Sequence, residues 1–230
     1  MYTSFLEGVE MVEQRIKEEI CEVGRRMYQN GFVAANGGNI SVRLDEDVYL
    51  VTPTGVSKND LTPEGLLKIN SECEVIEGEG KPSSESKVHI YCYQNRPDVM
   101  SVCHSHAPYS VAMASLNIKM DKYFLPEAVF SLGAVPRCEY AAAGSQAVAE
   151  SMAPYIAKHS ALLLGNHGPV TMGNSAMQAY FRMETLEHVA HVYFITTLLG
   201  GPIEFTPEQA KHIFDKIEAS GRIHPGNIKL

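Results

Sequence analysis

The chain of 230 residues has no Cys-x-x-Cys pair, no basic run and no apolar stretch near the roughly 20 residues that a membrane span requires. Each absence removes a class of function. The five cysteines, Cys21, Cys73, Cys92, Cys103 and Cys138, are odd in number and widely spaced, which argues against a disulfide framework and a thiolate zinc site. With 19 Lys and Arg against 27 Asp and Glu, the net charge of -8 lacks the clustered cations that neutralise nucleic-acid phosphates. Neither Gly-x-x-x-x-Gly-Lys-Ser/Thr nor Gly-x-Gly-x-x-Gly occurs, so no nucleotide loop is expected. The first residues lack the charged and apolar regions of a signal peptide, and a soluble cytoplasmic protein is the expectation.

What remains, 45% apolar and 20% charged residues, is the composition of an ordinary globular chain, and residues 1–230 read as one mixed α/β domain. Val9, Val12, Ile16, Ile20, Val23 and Met27 recur at helical spacing, with Gly31 as a stop after Asn30. Asn36-Gly37-Gly38-Asn39 is a loop, residues 40–44 and 48–52 a hairpin, and Thr52-Pro53-Thr54-Gly55 a turn. Further strands are expected at 72–76, 99–106, 134–138 and 161–164, the last breaking at a turn and continuing through 169–172. Helices are expected at 84–94, from Pro108 towards Leu116, at about 145–158, at 174–199, and from Thr206-Pro207-Glu208-Gln209, which has capping-box order.

Chemistry concentrates at His104-Ser105-His106. Alternate residues of a strand face one way, so both imidazoles can reach one ion. His167, in a Gly-flanked turn after an apolar strand, supplies a third, and three ligands with one open position make a catalytic metal site. Nitrogen-rich ligation favours zinc, with Mn2+ or Co2+ as other occupants. Cys103 points away from such an ion and reads as a small core residue. Among the other histidines, His89, His159, His191 and His212 read as surface or helix-face residues. Glu85, at the start of a helix, is a fourth ligand, a proton shuttle, both, or simply an acid on the helix dipole. Three turns rich in small residues, Asn36-Gly37-Gly38-Asn39, Thr54-Gly55 and Ser83-Ser84, could converge on a phosphate dianion through N–H and O–H donors.

The order of Gly38-Asn39-Ile40-Ser41-Val42-Arg43, Thr52-Pro53-Thr54-Gly55, Lys81-Pro82-Ser83-Ser84-Glu85, His104-Ser105-His106 and Asn166-His167-Gly168 resembles the class II aldolase/adducin-head family from about residue 8 to residue 222. The pattern stands nearest to its aldolases of the L-fuculose-1-phosphate type. The resemblance implies a three-layer α/β/α fold with a central, mostly antiparallel sheet, and a homotetramer with active sites between subunits. It places Zn2+ on His104, His106 and His167, with Glu85 joining or leaving the coordination shell. It places substrate phosphate on Asn39, Thr54, Gly55, Ser83 and Ser84, with Asn36 as a further candidate. The epimerase branch has Asp where Glu85 stands, which favours aldol chemistry.

The implied reaction is reversible cleavage of a phosphorylated ketose, a ketose 1-phosphate, to dihydroxyacetone phosphate and a small aldehyde, with Glu85 and Tyr123 as proton carriers. The register around Lys122-Tyr123-Phe124-Leu125-Pro126-Glu127 leaves Glu127 as a competitor for the second role, and Ser220 stands where such aldolases carry a tyrosine. Rivals within the family are a sugar-phosphate 4-epimerase, a 3-oxo-acid phosphate decarboxylase and a thioribulose-phosphate dehydratase. An adducin-like binding module is the non-enzymatic alternative, against which the three histidines stand.

Overall fold

Residues along the strands alternate between two apolar clusters, and this alternation sets the layers. The computed structural model describes residues 2–116, 118, 120 and 123–219. Lys122 and Ser220 lie outside the described residues. Seven strands form one antiparallel sheet: β1 Asn39–Asp45, β2 Val48–Val51, β3 Leu67–Ile69, β4 Val75–Glu77, β5 Ser101–His104, β6 Ala161–Leu164 and β7 Gly168–Gly173. Their spatial order is β4-β3-β2-β1-β5-β7-β6. The helices are α1 Tyr2–Gln29, α2 Ser86–Asn95, α3 Pro108–Ser115, α4 Pro126–Ser131, α5 Gln146–Ser151, α6 Ala176–Leu198 and α7 Pro207–Ala219.

Tyr49, Val51, Val102, Leu162, Val170 and Met172 pack on one side with Val88 and Cys92 of α2 and Val148 of α5. Ile40, Val42, Leu50 and Cys103 pack on the other with Ile20, Val23 and Met27 of α1 and Ala179 and Met183 of α6. The result is the expected α/β/α arrangement, class II aldolase-like around its antiparallel sheet. His104, two residues from Val102, therefore shares the α2 face. A one-residue slip of β5 would exchange Val102 and Cys103 between layers and turn His104 away from α2.

The long helices end where their sequence says they should. Gly31, at φ +70°, follows α1. Thr206 and Gln209 cap α7 reciprocally, Thr206 N donating to Gln209 Oε1 at 2.9 Å and Gln209 N to Thr206 Oγ1 at 3.3 Å. Helix α3 is held from outside itself. The buried carboxylate of Glu187 on α6 accepts from Tyr109 N, Ser110 N and Ser110 Oγ at 2.7–2.8 Å, satisfying donors that a helix N-terminus leaves free.

Several expectations need correction. Strand β5 stops at His104, because Ser105 N still bonds Pro169 O whereas His106 N turns to Phe32 O, and Pro108 then opens α3. The segment 134–138 is no strand; only Val135 and Arg137 make single bridges, and Pro136 has no N–H to extend them. The helix expected at 145–158 ends at Ser151, ahead of Pro154. Residues 168–173 do not continue β6 but fold back on it as the antiparallel β7. The strand expected at 72–76 begins at Val75, since Asn70 to Glu74 form a tight turn with Cys73 at φ +63°, and β3 before it is too short to show periodicity.

Candidate active site

Glu85, His104, His106 and His167 come together. One ligand atom from each lies within 4.8 Å of all the others. The three rings stand 4.6–5.2 Å apart, centroid to centroid. Each arrives by a different device. His104 ends β5, where its cross-strand neighbours are Asn39 on β1 and Val170 on β7. His106 lies just past the strand end, exposed, in the link to α3. Its place owes nothing to strand alternation, contrary to the sequence expectation. His167 caps the β6–β7 turn, with Asn166 at φ +55°. A Cβ on Gly168 would stand 2.3 Å from Ser105 O, so only glycine lets this turn close onto the His104 strand. Arg137 ties the same turn by donating to Asn166 Oδ1 at 3.1 Å and to Ala114 O at 2.8 Å.

Glu85 precedes the first turn of α2. Its Oε1 lies 2.8 Å from His167 Nε2, and its Oε2 lies 3.4 Å from His104 Nε2 and accepts from Asn39 Nδ2 at 2.8 Å. Burial opposes ionisation of Glu85, but His104, His167 and the bond from Asn39 together outweigh it and hold the carboxyl well below its ordinary range. Burial pulls His104 down to about 4, and also lowers His106, so both present neutral imidazoles at pH 7. His104 Nδ1 bonds Pro169 O at 2.9 Å, leaving Nε2 as the lone-pair nitrogen. His104 Nε2 and His167 Nδ1 are buried without hydrogen-bond partners. Three imidazoles, one carboxylate and orphaned ring nitrogens fit a divalent cation.

The small-residue turns also converge. Thr54 N donates to Lys81 O at 2.9 Å and Pro53 bridges Pro82, which seats Thr54-Gly55 beside Ser83-Ser84. Asn39 Nδ2 reaches Ser83 Oγ at 3.5 Å, and Glu85 N donates to the same hydroxyl at 3.2 Å. Gly55 has φ +79°, and a Cβ on Gly144 would meet Ser84 Oγ at 2.9 Å. The backbone carbonyl of Asn36 accepts from Lys58 Nζ at 3.2 Å.

Tyr123 is not brought to this cluster within the chain. Its ring packs on Phe214 and lines a small apolar recess with Met120, Phe124, Leu132 and Tyr193. Glu127 lies exposed in the first turn of α4. His89, read as a surface or helix-face residue, lies on α2 but is 2% exposed, with Nδ1 2.6 Å from Ser41 Oγ, which is itself 2.6 Å from Tyr93 OH. Cys103 is buried in the α1–α6 layer, as expected of a core residue.

His89 and His104 have a stability consequence. Burial, then the charge of His104, brings His89 down to about 3, while an unfolded imidazole titrates near 6.5. Between about 6.5 and 4 the unfolded chain therefore binds more protons than the folded one, and stability falls as pH falls through that window. Melting temperatures of metal-free protein from pH 7 to 4.5 should decline steadily; a flat profile would contradict the buried neutral state.

The model of the class II aldolase and adducin N-terminal domain family matches residues 18–194, and the chain belongs to that family. It is 35% identical over 188 residues to a 3-oxo-tetronate 4-phosphate decarboxylase of Escherichia coli K12, covering 80% of this chain and 88% of that protein. It is 30% identical over 215 residues to a 5-deoxy-D-ribulose 1-phosphate aldolase of Bacillus thuringiensis, covering 92% and 100%. Among solved structures, an L-fuculose 1-phosphate aldolase superposes with a TM-score of 0.81 at 25% identity, covering 89% of this chain and 96% of that one. These relatives make the chain a lyase of this family with a His and Glu cluster suited to a divalent metal. No helix among the described residues is long and apolar enough to cross a membrane.

Proposed function

We propose that this protein is a divalent-metal-dependent decarboxylase of a phosphorylated 3-oxo sugar acid, releasing CO2 and leaving dihydroxyacetone phosphate. The observation that carries the reading is the meeting of His104, His106, His167 and Glu85 beside the Thr54-Gly55 and Ser83-Ser84 turns. His104, His106, His167 and Glu85 would hold the cation, and their nitrogen-rich set favours zinc. A cation held there would supply Lewis-acid stabilisation of the charge that develops at the ketone.

The chain's own groups do the rest. Asn39, Thr54, Gly55, Ser83 and Ser84 bind the phosphate and set the carboxylate-bearing carbon against the cluster. Asn39 also fixes the Glu85 carboxylate through its 2.8 Å bond. Glu85, the carboxylate of the cluster, takes up a proton from water and passes it to the carbon that loses CO2. Carbon dioxide departs without exchanging a proton, so this reaction needs no second proton carrier on the leaving side. Aldol cleavage does, to take the proton from the hydroxyl that becomes the aldehyde oxygen. That difference, together with the 35% identity to a decarboxylase against 30% to an aldolase, favours decarboxylation.

The second reading is aldol cleavage of a ketose 1-phosphate, supported by the full-length match to the deoxyribulose phosphate aldolase. It requires Tyr123, or Glu127, from a neighbouring copy in a homotetramer. Metal-loaded protein should release CO2 and dihydroxyacetone phosphate in equal amounts from 3-oxo-tetronate 4-phosphate. Dihydroxyacetone phosphate from 5-deoxyribulose or fuculose 1-phosphate, with no reaction of the oxo acid, would establish the second reading instead. Silence on both substrates would refute both.

A further inference from the structure

Lys58, in the single turn Lys58–Asp60, is 1% exposed and is the one Lys or Arg in the buried set among the described residues. Its Nζ donates to Asn36 O at 3.2 Å and to Val56 O at 2.8 Å. Those carbonyls belong to Asn36-Gly37-Gly38-Asn39 and to the residue following Thr54-Gly55, two of the turns nominated for phosphate. Burial alone draws the amine down to about 8, with no carboxylate to offset its charge. Lys68 shows the contrast, pairing with both Glu13 and Glu77. A cation buried against neutral carbonyls is costly to hold unless something bound to the protein compensates it. The candidate phosphate ligands Asn39, Thr54, Gly55, Ser83 and Ser84 are all uncharged, and Lys81, adjacent in sequence, is exposed.

We propose that Lys58 is a positioning residue and countercharge for the substrate's phosphate monoester, tying two of the binding turns by their carbonyls and supplying the positive charge they lack. The proposal rests on the reading of the substrate as phosphorylated. It assigns Lys58 no contact with the reacting carbon, so its loss should raise KM and leave kcat nearly unchanged.

The test uses metal-loaded, full-length protein and inorganic phosphate as the probe, followed by titration calorimetry without any carbon substrate. Lys58→Met should weaken phosphate about tenfold or more and Lys58→Arg less than about threefold, the scale of a hydrogen-bonded charge. Metal content should hold in both, and Lys58→Met should melt lower because Asn36 O and Val56 O lose their donor. A folded, metal-loaded Lys58→Met protein that binds phosphate as tightly as wild type overturns the proposal. A second measurement needs no neutral variant: in wild-type protein with labelled lysine ε-carbons, the lysine that titrates near 8 should shift its resonance as phosphate saturates. An unmoved resonance overturns the proposal as well. A wild-type protein that binds no phosphate refutes the phosphorylated-substrate reading itself, which separates that failure from failure of Lys58 alone.

Discussion

His106→Ala is expected to strip the protein of stoichiometric divalent metal and to cut turnover by about a thousandfold, roughly 4 kcal/mol of transition-state stabilisation. The fold should survive. His106 is exposed, lies outside the sheet, and its one backbone anchor, N–H to Phe32 O at 3.0 Å, does not involve the side chain. Surface changes of this kind usually move stability by less than about 0.5 kcal/mol. His104→Ala is the instructive contrast. That ring is buried at the end of β5 and bonds Pro169 O, so its removal should cost roughly 2–4 kcal/mol of stability as well as the metal. Metal analysis, thermal melts of the metal-free proteins and CO2 or dihydroxyacetone phosphate release check all three expectations. Wild-type turnover in metal-free His106→Ala would sink the assignment of this cluster.

Glu85→Gln separates proton transfer from ligation. If Glu85 carries the proton, turnover should fall about 10²- to 10⁴-fold, the usual range for a general acid or base. Metal content should stay within about twofold, because three imidazoles remain and three protein ligands suffice for a catalytic tetrahedral site. Geometry should be preserved too, since the glutamine carbonyl can still accept from Asn39 Nδ2. Inorganic phosphate should bind Glu85→Gln as it binds wild type. The opposite pattern, lost metal with turnover per bound ion unchanged, would make Glu85 a ligand and nothing more.

Much of this centre was legible in the chain, though not always for the reason offered. His-x-His marks a shared site correctly, yet its second member gets there by the turn after β5 rather than by pleat alternation. Gly-Asn-His-Gly announces a turn, and the close approach of Gly168 to Ser105 O explains why that turn must be made of such residues. What sequence spacing could not carry is long-range pairing. Asn39 and Glu85 are 46 residues apart, and their hydrogen bond exists only because β1 pairs β5 beneath the start of α2. Lys58 and His89 were missed for a related reason. A single charged or polar residue among ordinary neighbours reads as surface, and only the packing of other elements over it reveals burial. The short strand β3 and the bridges at Val135 and Arg137 lack the length that periodicity needs.

The cluster draws on distant parts of the chain: the entry to α2, the end of β5, and the β6–β7 turn. All five cysteines are free, so no covalent cross-link braces these segments. An ion held in common by residues 85, 104, 106 and 167 would be a staple in place of a disulfide, joining segments far apart in sequence. At a thousandfold excess over its Kd such a staple adds about 4 kcal/mol to the folded state. Cellular metal supply would then govern how long each molecule lasts as well as how fast it works.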